Sequence, residues 1–175
     1  MKLPSTLLGI LMAVLTHHAI GQTKEDKLQV VSWLDGKWEG TLNFKIFREK
    51  DLRDEVQLTI EGVRDGDKAK LAYTYYKDGN IVREGDGEVL ADDDESTFLF
   101  NDRWSIAGFD KTNQAYEIIL ISEGRDNKKR ATLKRTIIIS EDELIIRRDV
   151  KYKKSSHFFN RHVYSLKKVS QYSTY

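Results

Sequence analysis

Polar and apolar side chains alternate through almost the whole chain after residue 37, and this pattern excludes most fold classes. In the first such segment Trp38, Leu42 and Phe44 face one way, whereas Glu39 and Asn43 face the other. A period of two is the pattern of a β-strand with one buried face. It recurs in segments that we predict to be strands, namely 38–46, 56–61, 68–76, 81–90, 96–100, 104–109, 114–122, 131–139, 144–152 and 157–167.

Short polar turns connect these segments into one sequential meander. Asp65-Gly66 and Asp78-Gly79 have the composition of two-residue hairpin turns. A long antiparallel meander can hide its apolar face and its sheet edges by closing on itself. We therefore predict an all-β fold, an antiparallel up-and-down β-barrel of about 8–10 strands. A sandwich of two sheets is the main alternative.

The N-terminal residues have the features of a cleaved export signal. Lys2 gives a positive start, residues 7–15 are apolar but too few to span a membrane, and Ala19 and Gly21 are small. We predict cleavage before Gln22 and a periplasmic or secreted location; a retained anchor is the alternative. The chain has no cysteine, so its stability depends on burial and hydrogen bonds rather than on disulfides.

A short helix is predicted to precede the first strand. It covers residues 24–34, with Leu28, Val31 and Leu34 on one face and charged residues on the other. The predicted organisation is a signal peptide at 1–21, a helical lead-in at 22–36, a lipocalin-like barrel at 37–169 and a flexible tail at 170–175.

Charge and motifs argue against several classes of function. The chain has 29 basic and 28 acidic residues, and this balance indicates neither a nucleic-acid nor an anionic-membrane partner. After the predicted signal the histidines are His157 and His162, too few for a zinc site without cysteine. The acidic run 92–95 is predicted to be a solvated turn, with calcium binding as the alternative. No serine-hydrolase, zinc-protease or P-loop motif occurs, so we predict a protein without cofactor that is not an enzyme.

The sequence Gly36-Lys37-Trp38 resembles the Gly-x-Trp at the first strand of the calycin superfamily, which includes lipocalins, fatty-acid-binding proteins and nitrobindin-like barrels. The chain most resembles small exported lipocalin-like proteins of bacteria. The resemblance implies that Trp38 closes one end of the barrel against a basic residue of the last strand, either Arg161 or Lys167. Residues 161–164 are also loosely similar to the Arg-x-Tyr of fatty-acid-binding proteins, but the spacing differs by one residue.

Two arginines have the phase of the core in neighbouring strands. Arg135 alternates with apolar residues in one strand and Arg148 in the next. A turn at 140–143 gives a register that places these arginines directly opposite each other, with Lys134 opposite Asp149 on the outer face. Like charges in this position are destabilising unless a negative group lies between them.

The preceding strand supplies a candidate for that negative group. With a five-residue turn at 124–128, Glu117 would pair with Arg135. We therefore predict a Glu117–Arg135–Arg148 cluster inside the barrel, with one positive charge left over. The functional interpretation is that this guanidinium binds the acidic group of a ligand. The alternatives are a self-contained buried network and arginines that reach out to the barrel mouth.

Aromatic and polar side chains in the same phase could line a cavity. They are Tyr73, Tyr75, Trp104, His162 and Tyr164. The alternative is that several of them fill the core. The predicted function is non-covalent binding or carriage, by a monomer, of a small apolar or amphipathic molecule with an acidic head. The second hypothesis is a filled barrel that binds a protein partner in the cell envelope. A calycin-type isomerase and a haem protein ligated through His162 or His157 are further alternatives.

Overall fold

Ten antiparallel strands form one closed barrel. The computed structural model describes residues 23–46, 52–112 and 114–170, so the predicted signal peptide and its cleavage site lie outside the described residues. One helix precedes the strands: α1 (Lys24–Trp33). The strands are β1 (Gly36–Lys45), β2 (Arg53–Asp65), β3 (Lys68–Lys77), β4 (Asn80–Leu90), β5 (Thr97–Phe100), β6 (Asp102–Lys111), β7 (Ala115–Asp126), β8 (Lys129–Ser140), β9 (Glu143–Tyr152) and β10 (Phe159–Lys168).

Each strand pairs with its neighbours in sequence, and β10 pairs with β1 to close the barrel. The predicted fold class is therefore confirmed. Asp78 and Gly79 form a two-residue turn with φ of 52° and 77°, as their composition predicts. The turn after β2 is Gly66-Asp67, one residue later than predicted. Within the described residues, no helix is long and apolar enough to cross a membrane.

Helix α1 covers one end of the barrel. Thr23 caps its N-terminus in a capping box with Asp26, and Val30, Val31 and Leu34 are buried in the barrel core. Trp38 is fully buried directly beneath the helix, where its indole Nε1 donates a hydrogen bond to the Leu34 carbonyl at 3.3 Å. This end of the barrel is therefore closed by apolar packing.

The basic residue next to Trp38 differs from the expected ones. Lys168 lies opposite Trp38 in the β1–β10 pairing, and its ammonium sits 5.2 Å from the indole ring while donating to the Trp33 carbonyl at 3.0 Å. Lys167 instead forms an exposed ion pair with Glu143. Arg161 lies at the opposite end of β10, 3.6 Å from Asp126. The assignment of Arg161 as the barrel-closing partner of Trp38 is therefore wrong.

The buried side chain of Lys27 connects α1 to the barrel through hydrogen bonds. Lys27 is only 1% exposed, and its ammonium donates to the carbonyls of Asp94 and Thr97 at 2.6 and 2.8 Å and to the Asp92 carboxylate at 3.1 Å. Part of the acidic run at 92–95 therefore surrounds an internal cation rather than forming a wholly solvated turn. A buried ammonium is tolerated because its donors are satisfied.

Within the described residues, the shortest strand pairing of the barrel wall is the one between β4 and β5. Only two residue pairs join these strands, Val89 with Phe100 and Leu90 with Leu99. Asn101 adds two hydrogen bonds to Glu88, one through its backbone N–H at 2.8 Å and one through its side-chain oxygen at 2.9 Å. Within the described residues, 80–87 of β4 pair with β3 alone, so most of β4 has a free edge.

The buried hydrogen bonds of Lys27 lead to a stability prediction. Lys27→Met should lower the free energy of unfolding by about 3 kcal/mol or more, because it leaves buried acceptors without their cation. Urea unfolding measures the change. Lys24→Met is the matched control, since Lys24 is an exposed residue of the same helix that pairs with Asp93 at 2.6 Å. The control should leave the free energy of unfolding nearly unchanged. Equal losses of stability in the two variants would contradict the stabilising role of the Lys27 hydrogen bonds.

Candidate functional site

A cavity of about 240 Å³ lies inside the barrel, on the far side of the core from α1. Most of the predicted binding residues meet there. Its lining includes Tyr73, Tyr75, Arg135, Arg148, His162 and Tyr164. These side chains come from four strands, β3, β8, β9 and β10, so the site exists only when the barrel is closed.

Strand register brings the polar side chains of the cavity together. The predicted β8–β9 register is confirmed: Arg135 pairs with Arg148, and Lys134 with Asp149. The outer-face pair is an ion pair at 3.3 Å. A bulge at Arg161 lets His162 pair with Arg148 on the other side of β9. Arg148 therefore lies between a second arginine and a histidine.

Arg135 is held between two aromatic rings. Its guanidinium carbon is 4.6 Å from the centre of the Phe100 ring and 4.5 Å from that of Trp104, a cation–π arrangement. Its Nη1 donates to the Phe100 carbonyl at 3.0 Å. Burial lowers the pKa of Arg135 to about 10, so the group remains charged at neutral pH. Trp104 is 3% exposed and supports Arg135 from below rather than lining the cavity.

Both interior arginines have hydrogen-bonding capacity to spare. The Nε atoms of Arg135 and Arg148 are buried, and neither has a hydrogen-bond partner among the described residues. A buried donor without a partner is costly, and more so when it carries charge. Both residues also line the cavity, where a guanidinium can donate N–H groups to an oxyanion.

The expected negative partner lies outside the barrel. Glu117 is exposed on the outer face and pairs with Ile138, whereas Leu120 pairs with Arg135. The predicted Glu117–Arg135–Arg148 cluster is therefore wrong. The turn after β7 is the two-residue Asn127-Lys128, with φ of 45° and 66°. This shorter turn shifts the register by an odd number of residues, which moves every side chain of β7 to the other face.

His162 is a neutral member of the site. Burial, followed by the charges of Arg148 and Arg135, lowers the pKa of His162 to about 3. Its ring meets that of Tyr164 edge-on at 5.2 Å. On the opposite wall the rings of Tyr73 and Tyr75 stack at 6.5 Å, and burial raises the pKa of both phenols. The neutral imidazole and the un-ionised phenols leave the two guanidiniums as the charged groups of the inner wall.

Sequence reasoning missed the rim of the cavity. Arg83, Asp86 and Asn101 also line it. Arg83 faces Tyr75 because a bulge between Tyr75 and Tyr76 shifts the β3–β4 register, and its guanidinium lies 5.9 Å from the Tyr75 ring centre. A regular hairpin after the Asp78-Gly79 turn would pair Val82 with Tyr75 instead, so the turn alone could not identify Arg83.

The described residues offer no metal centre. Within residues 23–46, 52–112 and 114–170, no group of three or more His, Cys, Asp or Glu side chains is placed to hold a metal ion. The charged side chains of the inner wall are the guanidiniums of Arg135 and Arg148, next to aromatic rings.

Comparison with known proteins gives the fold and little else. No family model matches the chain, and no curated protein matches its sequence. Among solved structures, the crystal structure of Rv2717c from M. tuberculosis is similar, with a TM-score of 0.62 and 15% sequence identity. The match covers 82% of this chain and 98% of that one. At this identity the similarity shows a shared barrel fold.

The low pKa of His162 can be measured by NMR titration of its ring resonances. In the folded protein His162 should stay neutral as the pH falls from 7 to about 4, because burial and Arg148 oppose protonation. Since this pKa lies below the ordinary 6.5, the stability linked to it is complete above pH 6.5 and is lost as the pH falls toward 3. A midpoint near 6.5 in the native protein would contradict the buried site.

Arg148→Met separates the charge effect from burial in the same titration. Removing this charge should raise the pKa of His162, whereas Arg130→Met should leave it unchanged because Arg130 is exposed on β8. An unchanged pKa in Arg148→Met would mean that Arg148 does not act on His162.

Proposed function

We propose that this protein is an exported, lipocalin-like barrel of the calycin type that binds a small apolar molecule with an acidic head group and performs no catalysis. The observation that carries the proposal is the pair of interior guanidiniums, Arg135 and Arg148, whose buried Nε atoms have no partner among the described residues. Export rests on the signal-like residues 1–21.

Electrostatics favours an anion at this position. Two like charges that pair across neighbouring strands repel each other, and burial makes each charge costly unless an opposite charge compensates it. Glu117, the carboxylate expected to do so, is exposed on the outer face. A ligand carboxylate could accept hydrogen bonds from both guanidiniums and neutralise one of the two charges. A ligand anion would therefore supply the negative charge that Glu117 does not bring to the arginine pair.

The surroundings favour an apolar body on that anion. Tyr73, Tyr75, Phe100 and Ile146 contribute aromatic and aliphatic surface to the lining, which suits a hydrocarbon or aromatic tail. The volume of about 240 Å³ lies below the roughly 300–1,000 Å³ of drug-sized sites. The cavity therefore favours a small acid over a large ligand such as a haem.

A filled barrel that binds a protein partner is the weaker proposal. The interior holds a cavity rather than a solid core. Among the described residues the exposed large apolar ones are Leu52, Val63 and the neighbours Ile81 and Val82 of β4, and so small a number of exposed apolar residues is normal on a protein surface.

The proposal predicts that binding depends on Arg148. Calorimetric titration of the mature protein with hexanoate and with benzoate should give saturable binding to one site. Arg148→Met should weaken that binding about tenfold or more, because a hydrogen bond to a charged group contributes about 1.5–3 kcal/mol. The variant should still fold, since replacing a buried charge by an apolar side chain relieves repulsion from Arg135.

Arg130→Met is the matched control for charge. It removes one exposed arginine from the outer face of β8 and should leave the affinity unchanged. Equal affinities of the native protein and Arg148→Met would overturn the role of the arginine pair. Failure of the native protein to bind either acid would overturn the proposed function.

A further inference from the structure

Among the described residues, the exposed part of the cavity lining lies on one side. Among its lining residues, the exposed ones are Arg83, Gly85 and Asp86 of β4 and Asn101 of the turn between β5 and β6. The lining residues from β8, β9 and β10 are buried or half-buried. Solvent therefore reaches the arginine pair from the β4 side.

This exposed side coincides with the free edge of β4. Residues 80–87 pair with β3 alone within the described part of the chain, and Asn101 ties the end of this free edge to β5 through Glu88. We call the gap between this edge and Asn101 the lateral opening. It is a break in the side of the barrel, at a place where no ladder of backbone hydrogen bonds has to be broken for a ligand to pass.

Side chains of β7, β9 and β10 pack against one another at the end of the barrel opposite α1. The Tyr152 hydroxyl donates to the Asp126 carboxylate at 2.7 Å, the rings of Tyr152 and Phe159 are 5.6 Å apart, and Arg161 pairs with Asp126. The groove on this end, lined by Lys45, Tyr152, Phe159 and Arg161 among others, shares no lining residue with the arginine cavity. The groove at this end of the barrel is therefore a different site from the cavity behind the lateral opening.

Gly85 leaves the lateral opening unobstructed. It pairs with Tyr73, whose side chain points into the barrel, so a side chain at position 85 would also point inward. A Cβ placed there meets no heavy atom within 4 Å. By contrast, a Cβ at Gly87 would collide with the side chain of Asn101. Position 85 therefore borders empty space that a larger residue could fill without clashing.

We propose that the ligand is a monocarboxylic acid with a slender tail, and that its tail passes Gly85 and leaves the barrel through the lateral opening while its carboxylate lies between Arg135 and Arg148. This inference rests on the proposed function and adds the orientation and the shape of the ligand. It also makes Gly85 the residue that determines the permitted tail.

A chain-length series tests the orientation. The native protein should bind linear carboxylates with an affinity that rises about fourfold for each buried methylene, and then stays level once the tail reaches solvent. Acetate, butyrate, hexanoate, octanoate and decanoate serve as probes in calorimetric titrations. An affinity that rises and then collapses with the longer acids would overturn the proposal, because a closed cavity rejects a tail that it cannot hold.

Gly85→Leu tests whether Gly85 determines the permitted tail. Its side chain should fill the space on the way out, so octanoate should bind about tenfold more weakly or worse, whereas acetate should lose much less. Glu84→Leu is the matched control, because it places the same side chain on the outer face of the same strand, opposite Thr74. The control should bind both acids as the native protein does.

The outcomes separate this inference from the function on which it depends. If octanoate binds equally well to the native protein and to Gly85→Leu, the lateral route is wrong, while loss of binding in Arg148→Met still supports the anion site. If no carboxylate binds to the native protein, both fail. Unfolding in urea checks that Gly85→Leu is folded, which the absence of a clash at position 85 leads us to expect.

Discussion

Arg135 pairs with Arg148 across β8 and β9, and this pairing determines the charge of the barrel interior. The short turn between the strands and the apolar pairs beside it fix the register, and the register forces two guanidiniums into the same interior space. Aromatic rings stabilise Arg135, but the Nε atoms of both residues remain unsatisfied among the described residues. An interior with this charge and these donors is suited to a negative ligand group rather than to purely apolar packing.

The two ends of the barrel differ in how completely they are packed and bonded. Below the cavity, α1, Trp38 and the buried ammonium of Lys27 form a well-packed end in which the buried polar groups have partners. Above this core, β4 leaves its pairing with β5 after two residue pairs, and the wall opens beside Gly85. The stable end thus supports a site that is less completely bonded and more accessible, as is typical of binding sites on rigid scaffolds.

Sequence reasoning reached the strand order and six of the cavity residues because alternation and short turns are local signals. It failed for Glu117, where β7 is apolar on both faces, with Ile118 and Leu120 inside and Ile119 and Ile121 half-buried outside. Period-two alternation cannot choose a face in such a strand, and the Asn127-Lys128 turn lacks the glycine that marks most tight hairpins. The place of Lys168 beside Trp38 depends on the long-range pairing of β1 with β10, which no local pattern specifies.

A crystal structure of the protein with 4-bromobenzoate would locate both the anion site and the tail of a bound acid, because anomalous scattering places the bromine independently of the rest of the ligand. We expect a carboxylate in contact with both Arg135 and Arg148, and a bromine on the Gly85 side of the cavity at the lateral opening. A carboxylate bound elsewhere, with the arginine pair left unoccupied, would contradict the anion site. A bromine in the groove between Tyr152 and Phe159 would contradict the orientation.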